Sequence, residues 1–171
     1  MTTWSLAVTA LLVGAPFASQ QRTAFRGPGR YTDPDRSCSI QISVSPRGGF
    51  ARLHLPLRGR AGKRTEDDIT GVVFVGSGRL AYSVSPVYGH PGIFVFDCRS
   101  GMLTRLVGPK SLDSAYPNGA DYFELVSCTR DRLYFYYVED VDAAGFDKLR
   151  SAEHLYTVEL NGAELKRAGD Q

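Results

Sequence analysis

Three carboxylates gathered round a glycine turn are the most chemical feature of this chain. In Glu139-Asp-Val-Asp-Ala-Ala-Gly-Phe-Asp147, the residues Asp140, Asp142 and Asp147 flank Gly145. Hard oxygen donors two residues apart beside a tight turn are what a calcium ion requires. An EF-hand would place ligands at Ala144 and Ser151 and a bidentate Glu at Ser151, between two helices, and none of these is present. Calcium is therefore the minor reading and a solvated acidic loop the major one, with no metal or cofactor expected. With Phe146 at its tip, this long insertion between two apolar runs is a candidate recognition loop, because binding residues concentrate on loops carried by a rigid scaffold.

A second candidate contact is the turn Val87-Tyr-Gly-His-Pro-Gly92, which offers Tyr88 and His90. The histidines His54, His90 and His154 have no second His or Glu at metal-ligand spacing. Gly76-Ser-Gly78 lies between two apolar runs and reads as a hairpin turn, not as a nucleophile elbow. Glycine-containing turns here run into strands, whereas a phosphate cradle needs a helix N-terminus, so nucleotide binding is not indicated. A hydrolase would require a histidine to meet Asp97 or Asp113 through the fold alone. The chain reads as no enzyme.

The cysteines Cys38, Cys98 and Cys128 show neither Cys-x-x-Cys spacing nor a local His. In an exported chain they allow one disulfide and one free thiol, with Cys98–Cys128 the preferred pair.

The elements that must position these residues are strands. At Cys38 an alternation begins that sets Ile40, Ile42 and Val44 against Ser39, Gln41 and Ser43. Pro46-Arg-Gly-Gly49 turns it into a second alternating run, Phe50–Leu57. Arg58–Asp68 is polar and reads as a solvated connection. The segment 20–37, dense in Gly, Pro and charge, reads as a loop or arm, and 38–171 as a single β domain. Within that domain Tyr134, Phe135, Tyr136 and Tyr137 run without alternation. They give a core strand whose outward rings could serve a glycan or peptide.

Two stretches then repeat one order of parts with a period on the order of 50 residues. Gly78-Arg-Leu-Ala-Tyr82 corresponds to Asp131-Arg-Leu-Tyr-Phe135, and Ile93-Phe-Val-Phe-Asp97 to Leu155-Tyr-Thr-Val-Glu159. Thr104-Arg-Leu106 closes the first unit, and Asn161-Gly162, a strong hairpin signal, helps to close the second. This order resembles the blades of bacterial β-propellers of the TolB or WD40-like type, over roughly the last hundred residues. The resemblance implies an all-β fold of antiparallel meander sheets stacked like blades. A closed propeller needs at least about four blades, so an incomplete propeller is implied, with a small β-barrel or β-sandwich as the alternative. An open stack leaves a sheet face to be covered, which makes a homodimer or an obligate protein partner a corollary.

Composition bounds the rest. At 171 residues one domain is expected. With 20 basic and 18 acidic side chains, a net charge of +2 gives no reason to expect nucleic acid as a partner. No charged side chain occurs before Arg22, and Trp4–Ala18 has the length and apolarity of a signal peptide, so residues 1–19 are expected to be removed. The apolar run is short of the roughly 18 residues of a membrane span, so none is expected in the mature chain. The function expected is an exported, periplasmic or extracellular, non-enzymatic module that binds a protein or glycan. The runner-up is a barrel or sandwich holding an apolar ligand among its aromatic side chains.

Overall fold

A computed structural model describes residues 21–44, 51–57, 63–85, 90–113, 121–139 and 154–168. Its strands are β1 (Arg22–Thr23), β2 (Gly29–Thr32), β3 (Ser39–Val44), β4 (Ala51–Pro56), β5 (Lys63–Gly76), β6 (Arg79–Val84), β7 (Gly92–Asp97) and β8 (Leu103–Val107). A short 3-10 turn, Pro109–Leu112, leads on to β9 (Tyr122–Cys128), β10 (Arg132–Val138), β11 (Leu155–Glu159) and β12 (Lys166–Arg167). They form two antiparallel sheets, β2-β3-β4-β5-β6-β7-β8 and β1-β9-β10-β11-β12. The protein is all-β. Neither sheet closes on itself, so the barrel expected as an alternative is not the architecture. Among the described residues no helix is long and apolar enough to cross a membrane.

The seven-stranded sheet cannot be flat. Cys38 precedes β3 and Cys98 follows β7, four strand spacings away, which in a flat sheet is about 19 Å at about 4.8 Å per strand. Their Cα atoms are 5.6 Å apart and joined by a disulfide. The sheet therefore folds over, and the fold line is β5. Its first half, from Lys63 to Ile69, pairs with β4, and its second half, from Ile69 to Gly76, pairs with β6. At the junction Asp68 takes a left-handed φ of 60°. Register shifts on either side, between Ala51 and Leu53 and between Ile69 and Gly71, let the strand bend there.

The result is three stacked layers. The central one, the second half of β5 with β6–β8, is apolar on both faces, as its near-continuous hydrophobic sequence demands. Val72, Phe74, Leu80, Tyr82, Val84 and Phe96 pack with Ile40, Ile42, Leu53 and Leu55 of the first layer. Val73, Ala81, Ile93, Val95 and Val107 pack with Phe123, Leu125, Leu133, Phe135 and Val158 of the third.

Three expectations need correction. The disulfide is Cys38–Cys98, and Cys128 is a buried free thiol. The expected Cys98–Cys128 pair fails because Cys128 lies in the core between the second and third layers, whereas Cys98 packs against the core between the first and second. Residues 63–68, expected in a solvated connection, are strand. Within this stretch Asp67 Oδ1 lies 2.5 Å from Arg52 Nε, and Arg64 Nε lies 2.5 Å from Glu66 Oε1. The segment 20–37 was expected as a loose arm, but its described part, from Gln21 on, laces the three layers together. β1 pairs with β9, Phe25 exchanges two backbone hydrogen bonds of 2.8 Å with Val72 of β5, and β2 pairs with β3.

Candidate functional site

The bend of β5 opens a cleft. Arg26 and Pro28 of the lacing segment, Ser43 and Val44 at the end of β3, Ala51 at the start of β4, and Ile69 and Thr70 at the bend line about 440 Å³. Val44, the last residue of β3, occupies an inward position of its strand's alternation, yet it is 67 % exposed. With Pro28, Ala51 and Ile69 it makes an apolar floor. The rim is charged, since the Arg26 guanidinium reaches Glu124 at 3.6 Å with 58 % of its side chain still exposed. An ion pair this open contributes little to stability, and Arg26 keeps donors for an incoming acceptor.

Ser43 carries the one arrangement here that has the look of catalysis. Its hydroxyl lies 2.9 Å from His54 Nε2, the approach a nucleophile makes to its base. Opposite, at Nδ1, stands the Thr65 hydroxyl at 3.5 Å, where a triad would hold a carboxylate. The nearby Asp67 carboxylate is held by Arg52. Ser43 sits in an extended strand, not on the strained turn that raises a nucleophile under converging amides. Ser43 and His54 are thus a cross-strand polar pair on the outer face of the first layer. Asp97 does not join them: its carboxylate accepts hydrogen bonds from the Arg99 and Ser100 amides of the β7–β8 turn, both at 2.8 Å, which lowers its pKa.

Of the other expected positions, His90 is exposed just before β7, while Tyr88, Asp140, Asp142, Phe146 and Asp147 lie outside the described residues. Among the described residues no three His, Cys, Asp or Glu side chains gather as a metal ion would need. In β10, Phe135 and Tyr137 are buried, with rings 6.1 and 5.0 Å from Phe123, while Tyr134 and Tyr136 are only partly buried on the opposite face. Burial raises the Cys128 thiol pKa, which keeps it protonated and unreactive.

Sequence reasoning did not find the cleft. Its lining comes from four separate stretches of the chain, which no local pattern joins. No family model matches the chain, and no curated protein and no solved structure matches it.

Proposed function

We propose that this is an exported, non-enzymatic binding module, and that the cleft at the bend of β5 is where its partner enters. The observation that carries this reading is the cleft's make-up: an apolar floor of Pro28, Val44, Ala51 and Ile69 beside the half-committed charge of Arg26. A pocket of a few hundred Å³ with few polar groups on apolar walls is the common form of a binding site. The Ser43–His54 pair, whose second ring nitrogen faces the Thr65 hydroxyl and no acid among the described residues, supports binding over hydrolysis. Export rests on the apolar Trp4–Ala18 segment and agrees with a disulfide between Cys38 and Cys98. The partner class is a protein or a glycan.

The test is a titration of the isotope-labelled protein with a panel of short peptides and oligosaccharides. Saturable shifts at the amides of Ser43, Val44, Ala51, Ile69 and Thr70 that vanish in Val44→Trp support the cleft. Binding that maps elsewhere, or that survives the tryptophan, sinks it. Fractionation of cells expressing the full chain addresses export, since retention of the uncleaved chain in the cytoplasm would end that part of the proposal.

A further inference from the structure

A second cation stands away from the cleft, in an unusual setting. Arg105 lies on β8, which pairs with β7 on one side and, among the described residues, with no strand on the other, so its outer backbone edge is unpaired among them. Register places Arg105 opposite Phe94, and its guanidinium carbon is 5.8 Å from that ring's centroid. The Phe94 ring in turn stacks on Tyr82 at 5.4 Å and 17°. Nη2 donates to the Pro91 carbonyl at 2.5 Å. Gly108 makes the pose possible, because a Cβ there would collide with Nη2, Cζ and Nε of Arg105. The guanidinium is therefore held flat by a ring, a carbonyl and a missing side chain.

Among the described residues it has no counter-ion. Arg26, Arg52, Arg64 and Arg132 each have a carboxylate within 4 Å. Among the described residues Arg105 has only the ring and the carbonyl. Burial alone lowers its pKa, the signature of a charge partly removed from water without an acid in return. Among the described residues Nη2 alone has a hydrogen-bond partner, and Arg105 as a residue is exposed, so its side chain is reachable from solvent.

We propose that Arg105 is a carboxylate-binding residue, and that an extended acidic peptide adds alongside the open edge of β8 with a carboxylate paired to its guanidinium. Strand addition supplies backbone hydrogen bonds, and the two oxygens of a carboxylate match the planar fork. A guanidinium already fixed on Phe94 and Pro91 gives up little freedom on binding. This site does not depend on the cleft and stands or falls separately from it.

The probes are an acetylated, amidated Val-Thr-Glu-Val-Thr peptide, its Gln counterpart, sodium acetate and inorganic phosphate, titrated at constant ionic strength. The readout is the Nε–Hε cross-peak of Arg105 together with the β8 amides. The Glu peptide should shift these signals saturably, and the Gln peptide should bind about tenfold more weakly or worse. Arg105→Lys, which keeps the charge but not the fork, should bring the Glu peptide down to the level of the Gln peptide. Arg105→Gln should do the same with an unchanged melting temperature, which separates lost binding from lost fold. Equal affinity for the two peptides, or full affinity in Arg105→Lys, overturns the proposal. So does phosphate binding about tenfold tighter than acetate, which would assign the site to a phosphate group.

Discussion

The central layer is covered on both faces, but the two interfaces are held by different means. Toward the first layer the contact is aromatic and aliphatic, and the Cys38–Cys98 disulfide ties it at one end. Toward the third layer there is no covalent tie, and hydroxyl groups reach across the core instead. Thr70 Oγ1 donates to the Phe123 carbonyl at 2.5 Å, and Ser83 Oγ lies 2.6 Å from Thr70 and accepts from the Leu125 amide at 2.9 Å. Both hydroxyl residues are at most 3 % exposed. Gly71 lets the β9 backbone come this close, since a Cβ there would meet the Leu125 carbonyl at 2.5 Å. The difference shows two ways of registering stacked sheets: a covalent cross-link at one end of the core, or a backbone approach with buried hydroxyls within it.

The largest effect expected is from breaking the first interface. The disulfide spans 60 residues of sequence, and on a chain-entropy basis a loop of that length is worth about 4 kcal/mol. Reduction, or Cys38→Ser with Cys98→Ser, should lower the urea midpoint by an amount of that order. The loss should appear first as faster amide exchange in β3 and β4, with β9 and β10 still protected. Loosening of all three layers together would mean that the interfaces are not separate.

Gly71→Ala should come next, at about 2–3 kcal/mol, in the range of other overpacked cores. Its signature is the mirror image, with exchange rising in β9 and β10 and the disulfide-tied pair of layers holding. A neutral outcome in a urea melt would show that β9 can retreat freely and that the close approach is incidental. Thr70→Val is smaller, about 1–2 kcal/mol, because it leaves the Phe123 carbonyl without its buried donor while keeping the shape. Combining it with Ser83→Ala should cost less than the two single changes added together, since the hydroxyls form one network.

The same contrast explains what could be read in advance. Strands such as β3 and β4 were legible, because alternation and turn residues are local signals. The fold line in β5 was not, because Lys63–Asp67 is strand only by virtue of Arg52 and its β4 neighbours, an interaction between distant stretches. The lacing role of residues 21–32 was hidden for the same reason: two strands this short carry no period of their own, and each is strand through its pairing. The cleft and Arg105 depend on where these elements end, which composition does not encode. The disulfide pair was misjudged because separation along the chain says nothing about a sheet that folds back on itself.

The smallest effect concerns Asp33, beside the disulfide-tied interface and only 3 % exposed. Burial raises its pKa, the neighbouring Asp35 raises it further, and the Gly78 amide and Arg22 oppose the shift without cancelling it. Its carboxylate is 3.4 Å from both the Gly78 nitrogen and Ser37 Oγ. A raised carboxyl pKa means that the folded protein binds this proton more tightly than the unfolded chain. The stabilising contribution is then full below the ordinary Asp pKa and is lost as pH rises through the folded value. At neutral pH Asp33 is a charge kept in an unfavourable place, tolerated because it ties the β2–β3 turn to the Gly76–Gly78 turn. Asp33→Asn retains an acceptor for Gly78 and removes the charge, so it should match or slightly exceed the parent in a urea melt at pH 7. That advantage should shrink as pH falls into the range where Asp33 itself becomes protonated. A variant that is weaker at pH 7 and recovers in acid would reverse the sign, showing that the charge on Asp33 is what holds the two turns together.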